Sequence, residues 1–199
     1  PLHLIREDTY SIVLDKTTEG KSYCSLCSRM RRGILYTAAQ ELNCNRLALG
    51  HHRDDALETL MMNMCHQGQL KALPARYVAA RGVDVIRPLM YCAESDIEEY
   101  ARASALPILP CNLCGSQPDG SPGMRKQMKV LLAMLDGMGD GAARKNMLSA
   151  LADVRPTHLL DRDLREACGL HAASGELLDS RGETVAHRVY AKPDASSEQ

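Results

Sequence analysis

The chain alternates short apolar runs with longer segments in which apolar residues recur at helical spacing. Apolar positions three and four residues apart predict a helix over residues 28–42. The runs "NRLALGHH" and "VDVIRPL" predict buried strands, and residues 2–5 and 10–14 predict short strand-like pieces. Strands that alternate with helices indicate an α/β unit with a largely parallel sheet.

Two further helix starts are predicted from capping-box patterns. Asp55 is followed three residues later by Glu58, and Ser95 is followed in the same way by Glu98. In the second of these helices we expect three residues to face inward, namely Ile97, Tyr100 and Ala101.

The pattern changes along the chain and predicts three parts. Residues 1–121 form a partial α/β domain, residues 122–163 form a helical part, and residues 164–199 form a disordered tail in which periodicity fades. The chain begins directly in an apolar segment without Met, so we expect a fragment whose first part is missing.

Composition narrows the classes of protein. The net charge of −1 argues against a wholly basic nucleic-acid binder but permits a local basic patch, for which Arg29, Arg31 and Arg32 are the candidates. An ordinary solvated face is the alternative. No apolar run is long enough for a membrane span. Eight cysteines without a visible signal peptide favour a reducing compartment.

Two CxxC pairs, Cys24 with Cys27 and Cys111 with Cys114, are candidate ligands or redox groups. Four thiolates suit a zinc site. Three of the four suit an iron–sulfur cluster. A redox dithiol is the third alternative, and the spacing leaves all three open.

The segment "GHHRDD" follows a predicted strand and opens a helix. Ligands of open α/β sheets bind outside the carboxyl ends of the strands. Carboxylates suit Mg²⁺, and a helix N-terminus suits phosphate. The alternative is that Asp54 and Asp55 only cap the helix.

Four segments in this order carry a family resemblance: "CSLCSRMRRGILY", "ALGHHRDDALETL", "VIRPLMYC" and "PILPCNLCGSQP". Together they resemble the tRNA 2-thiocytidine synthetases, a family of tRNA thiolases in the PP-loop ATPase superfamily, over about residues 9–160. The resemblance implies a Rossmann-like PP-loop fold of the adenine nucleotide alpha hydrolase-like type. Its parallel sheet would here lack the first strand or strands, and a helical C-terminal part would follow.

The resemblance also implies an activity and its cofactors. Such an enzyme works in the cytoplasm, uses ATP with Mg²⁺ to adenylate the C2 oxygen of cytidine 32 in tRNA, and replaces that oxygen with sulfur. Three cysteines hold a [4Fe-4S] cluster, which in this chain would be Cys24, Cys27 and Cys114, with Cys111 a non-ligand. The expected partners are tRNA and a cysteine desulfurase as the sulfur source, with a homodimer as a further candidate.

Other site residues follow from the same resemblance. Arg29, Arg31 and Arg32 would hold tRNA phosphate or offset the charge of the cluster. The ATP or Mg²⁺ contacts would come from "GHHRDD", with His52, Asp55 and Gly50 as candidates.

One departure from the family pattern matters. The SGGxDS loop that binds the ATP pyrophosphate in the family does not occur in the chain. We therefore expect an N-terminally truncated chain that binds ATP poorly and is inactive alone; loss of ATP use is the alternative. Two other functions stay open, a zinc-stabilised RNA-binding module without catalysis and a related PP-loop thiolase that acts on uridine.

Overall fold

The computed structural model describes residues 3–17, 23–79, 81–108 and 123–170. The chain divides into two units, Pro1–Leu148 and Ser149–Gln199. The division at residues 121 and 163 that the sequence suggests stays a prediction.

In the described residues, the first half of the chain contains both helices and strands, and the second half contains only helices. In chain order they are α1 (Thr9–Lys16), α2 (Cys24–Glu41), β1 (Arg46–Ala48), α3 (Arg53–Gln67), β2 (Arg76–Val78), β3 (Asp84–Ile86), α4 (Glu94–Ala103), α5 (Met124–Gly137), α6 (Ala143–Ala150), a 3₁₀ turn (Pro156–His158) and α7 (Arg162–Ala167). No helix in the described part of the chain is both long and apolar enough to cross a membrane.

The three strands form one sheet in the order β1–β3–β2. β1 and β3 are parallel, with Leu47 opposite Val85, and β2 is antiparallel to β3, with Tyr77 opposite Val85. The α/β class is thus confirmed, although the sheet is mixed. Strand β2 was missed because two of its three residues are exposed and it forms no apolar run. The prediction of a buried strand was wrong for β1, whose outer residues are exposed.

Small side chains let α2 lie against this sheet. Ala39 of α2 is buried with Ala79, Val83 and Val85 in one apolar cluster. Tyr36 and Tyr77 are half-buried beside that cluster, and their hydroxyl oxygens are hydrogen-bonded at 2.9 Å. The packing of α2 therefore determines where its other residues lie relative to the sheet.

The predicted strand at residues 10–14 was wrong, because this segment belongs to α1. The Asp8 carboxylate accepts a hydrogen bond from the Ser11 backbone nitrogen at 3.0 Å and caps the helix. The predicted strand at residues 2–5 is also absent from the part the structure describes, residues 3–5. Helix α2 begins at Cys24, four residues before the predicted start at Ser28.

Both predicted capping boxes were misplaced. In α3 the box joins His52 and Asp55, because the histidine ring acts as the acceptor that the pattern assigns to Ser, Thr, Asp or Asn. Helix α4 starts after Ala93 without a side-chain cap from its own sequence. Tyr100 of α4 is 67% exposed, so its predicted inward orientation was wrong, whereas Ala101 is buried as expected.

The Asp54 carboxylate joins three helices of the first unit. Asp54 is only 1% exposed. Its Oδ2 accepts a hydrogen bond from the Glu94 backbone nitrogen at the start of α4 (2.9 Å), and its Oδ1 pairs with Nη1 of Arg144 on α6 (2.7 Å). Nε of Arg144 lies 2.9 Å from Oδ2 of Asp136 on α5, and Nη2 of Arg53 lies 3.4 Å from Asp54. These contacts compensate a carboxylate that burial alone would destabilise.

The pKa of Asp54 reflects this balance. Burial on its own raises the pKa, but the hydrogen bonds from the Glu94 nitrogen and Arg144, with the charge of Arg53, lower it below its usual value. The ionised form is therefore the form that the fold stabilises.

In the second unit, α7 extends into the stretch assigned by sequence to a disordered tail. The Asp161 carboxylate caps α7 by accepting a hydrogen bond from the Leu164 nitrogen at 2.9 Å. Arg165 donates to the Thr157 carbonyl oxygen at 2.9 Å, and Leu170 is 2% exposed. Residues 171–199, the rest of that predicted tail, lie outside the described residues.

The buried face of α5, which packs against α3, generates a stability prediction. Leu132 is 1% exposed, so Leu132→Ala leaves a cavity and should lower the free energy of unfolding by about 2–5 kcal/mol. Val130 of the same helix is 56% exposed, and Val130→Ala should change it by no more than about 0.5 kcal/mol. Urea denaturation of both variants tests this, and equal effects would contradict the packing described.

A second prediction concerns Asp54. Asp54→Asn removes the charge that compensates Arg144 and should lower the free energy of unfolding at neutral pH by about 3 kcal/mol. Because the folded-state pKa is depressed, the contribution of Asp54 is present above its unfolded-state pKa of about 4 and is lost as pH falls through the folded-state value.

Urea denaturation between neutral and acidic pH should therefore show a shallower acid loss of stability in Asp54→Asn than in the parent chain. Asp153→Asn, which removes an exposed ion pair with Arg155, is the control and should cost no more than about 1 kcal/mol. Identical acid profiles for the parent chain and Asp54→Asn would rule out this role.

Candidate functional site

The first CxxC pair lies in the first turn of α2. Cys24 is exposed and Cys27 is half-buried, and the Cys27 nitrogen already donates to the Tyr23 carbonyl oxygen at 3.1 Å. Residues three apart in a helix lie on the same side, so both thiols share one face of this turn. Cys111 and Cys114 lie outside the described residues. Within the ranges that the structure describes, no group of three or more Cys, His, Asp or Glu side chains could hold a metal ion.

Three arginines follow the cysteines on α2. Arg29, Arg31 and Arg32 are all exposed, and Arg32 Nε donates to the Ser28 carbonyl oxygen at 3.3 Å. In the described part of the chain none of the three forms an ion pair. The positive end of the helix dipole adds to their charge. We call this surface, Cys24 to Arg32, the basic turn.

The "GHHRDD" segment follows the carboxyl end of β1, as the sequence predicts. The pairing of β1 with β3 extends one residue further, since the Leu49 nitrogen donates to the Ile86 carbonyl oxygen at 2.9 Å. Apart from Gly50 and its two chain neighbours, no residue has an atom within 4 Å of where a Cβ on Gly50 would stand. The fold itself therefore does not require glycine at this position, and the predicted nucleotide contact stays a prediction.

His51 contacts Arg87, the residue that follows β3. Nε of the buried Arg87 donates to Nδ1 of His51 at 3.4 Å, so the proton of the neutral ring is on Nε2. Burial is the main cause that lowers the pKa of His51, and the charges of Arg87 and Arg31 act in the same direction. The Asp55 carboxylate opposes them. His51 is therefore a neutral imidazole near neutral pH, and Arg31 lies close enough to influence it.

His52 and Asp55 contact each other. The His52 backbone nitrogen donates to Asp55 Oδ2 at 3.1 Å, and the Asp55 backbone nitrogen donates to the ring atom Nδ1 of His52 at 3.4 Å. Nη1 of Arg125 on α5 donates to Asp55 Oδ1 at 2.9 Å and to Glu58 Oε2 at 3.0 Å. Asp55 thus caps α3 together with His52. Helix capping was the alternative that the sequence left open for the aspartates of this segment. A role of His52 and Asp55 in binding ATP or Mg²⁺ stays a prediction.

Sequence reasoning paired Glu58 with Asp55 only as a helix cap and missed Arg125 as a member of this cluster. Burial raises the pKa of Glu58, although the charge of Arg125 opposes the shift. Arg125 is far away in sequence, in the part of the chain that the sequence predicts only to be helical. No local signal connects it with α3, so only the packing of α5 against α3 brings it here.

A cleft of about 480 Å³ lies beside His51, between α2, α3, β2 and residues 71–74. Arg87 lines it and lies over the Tyr77 ring, with Cζ 5.2 Å from the ring centroid, and its Nη1 donates to the Pro74 carbonyl oxygen. Tyr36, Arg32 and Lys71 also line it. We call it the tyrosine cleft. Of the residues that line the cleft, sequence reasoning singled out only Arg32. Arg87 could have been found from its position, because it directly follows the strand in the run "VDVIRPL".

Comparison with known proteins places the chain in a family. A family model described as a PP-loop domain matches residues 5–108. Curated relatives described as tRNA-cytidine(32) 2-sulfurtransferase include one from Sorangium cellulosum, 52% identical over 87% of this chain and 60% of the relative. A relative from Aeromonas salmonicida is 50% identical over 86% of this chain and 56% of the relative. One from Burkholderia mallei is 46% identical over 99% of this chain and 58% of the relative. The chain therefore spans a little over half the length of these relatives.

A solved structure supports the fold. The U34-tRNA thiolase NcsA from Methanococcus maripaludis with its [4Fe-4S] cluster superposes with a TM-score of 0.53. The two are 23% identical, and the match covers 73% of this chain and 47% of that one. The Rossmann-like α/β class expected from the sequence is confirmed by this match and by the family model. With more than half of its residues matched by that model, this chain belongs to the PP-loop domain family.

Proposed function

We propose that the chain is part of an ATP-dependent, iron–sulfur-dependent tRNA-cytidine(32) 2-sulfurtransferase. The observation that carries the proposal is the basic turn, where two thiols stand on one face of a helix beside three arginines that form no ion pair in the described residues. The identity of 46–53% to relatives described by that activity supports it.

The cluster ligands proposed are Cys24, Cys27 and Cys114. Thiolates are the usual protein ligands of iron–sulfur clusters, and the accessible pair in the first turn of α2 fits such a group. A cluster held by three cysteines would supply an iron site without a protein ligand, at which sulfur can be delivered.

The arginines of the basic turn would bind tRNA phosphates. Arg31 follows Cys27 by four residues and therefore lies on the same side of α2 as the thiols, so a phosphate held by Arg31 would lie near them. Arg29 and Arg32 project in other directions and would hold phosphates further from the thiols. The charge of Arg31 also contributes to the lowered pKa of His51 in the "GHHRDD" segment.

ATP is proposed to activate the cytidine. The C2 carbon of cytosine is a poor electrophile, and adenylation of its oxygen creates a leaving group. Gly50, His52 and Asp55 are the proposed contacts of ATP or Mg²⁺, since they follow the carboxyl end of β1. Asp55 also holds Arg125, so binding of a cation there would compete with that ion pair.

The proposed reaction implies both the partners of the enzyme and its location in the cell. The sulfur would come from a cysteine desulfurase, and a second copy of the chain is a further candidate partner. We expect the enzyme to work in the cytoplasm, where its tRNA substrate is.

The ligand assignment predicts which cysteines matter. After anaerobic reconstitution with iron and sulfide, the chain should be brown with broad visible absorption, and Cys24→Ser, Cys27→Ser and Cys114→Ser should each lose the cluster. Cys111→Ser should retain it and is the matched control. Absorption, iron analysis and electron paramagnetic resonance provide the measurement. A colourless chain that holds one zinc ion, with all four cysteines equally required, would instead support a zinc-stabilised RNA-binding module.

The tRNA surface can be tested separately. The double variant Arg29→Gln/Arg31→Gln should bind a tRNA transcript more weakly and reduce the slope of log K against log salt by about 0.7–0.9 for each phosphate that is no longer neutralised. Arg102→Gln, on an exposed position of α4, should leave affinity and slope unchanged. Filter binding over a salt series is the measurement; an unchanged slope in the double variant would refute phosphate binding there.

The activity is tested in a chimera. In the Aeromonas salmonicida relative, the segment that matches this chain is replaced by the chain, and the chimera is expressed in a strain that lacks the relative. Mass spectrometry of tRNA nucleosides should show 2-thiocytidine restored, and Cys27→Ser in the chimera should abolish it. Thiolated uridine without 2-thiocytidine would assign the chain to the thiolases that act on uridine.

A further inference from the structure

We propose that the tyrosine cleft binds one unpaired nucleotide of the RNA substrate, at a position separate from the nucleotide that reacts. The inference rests on the proposed function for its substrate class. It adds a binding site made of Arg32, Tyr36, Lys71, Tyr77 and Arg87.

The charge of the cleft fits a nucleotide. None of the described residues that line it is acidic, and three of them, Arg32, Lys71 and Arg87, are cationic. Arg32 and Lys71 are exposed and form no ion pair within the described residues. Such cations attract a phosphate group and leave it accessible to solvent on one side.

The two tyrosines provide the surface for a base. Their hydroxyl groups are hydrogen-bonded to each other, one donating and the other accepting, and this bond joins the two side chains. Proteins that bind single-stranded RNA stack bases on aromatic rings and on arginine guanidinium planes. Arg87, which lies over Tyr77, is 8% exposed and is held by His51 and the Pro74 carbonyl oxygen.

The wall of the cleft is held in place before any ligand binds. Residues 71–74 connect α3 to β2 without regular structure, yet both ends of this segment are anchored. Asn63 Nδ2 donates to the Lys71 carbonyl oxygen at 2.7 Å, and Arg87 donates to the Pro74 carbonyl oxygen. A preorganised wall reduces the entropy that binding costs. The volume of about 480 Å³ is within the range of small-molecule sites.

Distance along α2 excludes the reacting base as the occupant. Tyr36 follows Cys27 by nine residues of one continuous helix, which corresponds to about 14 Å along the helix axis. A base stacked on Tyr36 therefore cannot be at the cysteines. Arg31 and Arg32 lie between the two positions, where they would contact the connecting phosphates.

The test measures binding of a fluorescein-labelled octacytidylate to the 199-residue chain by fluorescence polarisation over a salt series. Tyr36→Leu should weaken binding about ten-fold or more without changing the salt slope, because it removes stacking and no charge. Lys71→Gln should reduce the salt slope by about 0.7. Arg102→Gln is the control and should match the parent chain.

Folding of each variant is checked by circular dichroism. Tyr36 contacts the core, so an unfolded Tyr36→Leu variant would shift the test to Lys71→Gln, whose side chain is exposed, and to cross-linking. The cross-linking arm irradiates an octanucleotide that contains 4-thiouridine with the parent chain and maps the adduct by mass spectrometry. Adducts at Tyr36 or Tyr77 would support the cleft, and adducts confined to other parts of the chain would refute it.

Free ATP is the alternative occupant of the cleft, because it also carries a base and phosphate groups. If ATP binds the parent chain and Tyr36→Leu loses ATP but keeps RNA, the cleft holds a free nucleotide and the proposal is wrong. No measurable RNA binding by the parent chain, or parent-like affinity and slope in both cleft variants, would also overturn it. Restored thiolation in the chimera together with parent-like cleft variants would refute the cleft alone. Cleft-dependent RNA binding without thiolation would refute the proposed activity and retain the cleft.

Discussion

The buried Asp54 carboxylate is the interaction on which the arrangement of the first unit depends. An ionised group in this position requires compensation, and the structure supplies it from α4, α6 and the neighbouring Arg53. The same carboxylate caps α4, which has no capping side chain of its own. Because Asp54 stands at the start of α3, this network also determines where the "GHHRDD" segment lies. The aspartate next to the candidate site thus has a structural function.

Helix α2 connects the proposed chemical steps. Its first turn carries the cysteines, its second and third turns carry the arginines, and its later residues carry Tyr36 and the buried Ala39. The packing of Ala39 against the sheet determines how far the earlier residues of α2 lie from the sheet and how they are oriented. A rigid helix would then position RNA phosphates, a stacked base and the thiols at fixed separations of about 1.5 Å per residue. The proposals for the basic turn and the tyrosine cleft depend on this single element.

Several features could be predicted from the sequence because they rest on local chemistry. The apolar run at Val83 and Val85 marked a strand, and the motif order indicated the PP-loop superfamily, whose domain the family model then matched. Errors arose where the local pattern was ambiguous. Asp8 is an effective cap before a segment that alternates in polarity, so residues 10–14 were predicted as a strand and form a helix. His52 acts as a cap although histidine is not part of the usual pattern.

The sequence by itself determined the α/β class, the placement of "GHHRDD" after a strand, and the proximity of the cysteines to the arginines, since each depends on residues within a few positions of one another. Only the tertiary structure decided that Asp54 is buried, that Arg125 and Arg144 pair with acids of α3, and that Arg87 joins His51 to a cleft between two tyrosines. These contacts join residues from separate elements, such as Arg144 with Asp54, ninety positions apart. The physical reason is that burial and charge compensation are properties of packed neighbours, and the local pattern carries no information on which distant residue becomes a neighbour.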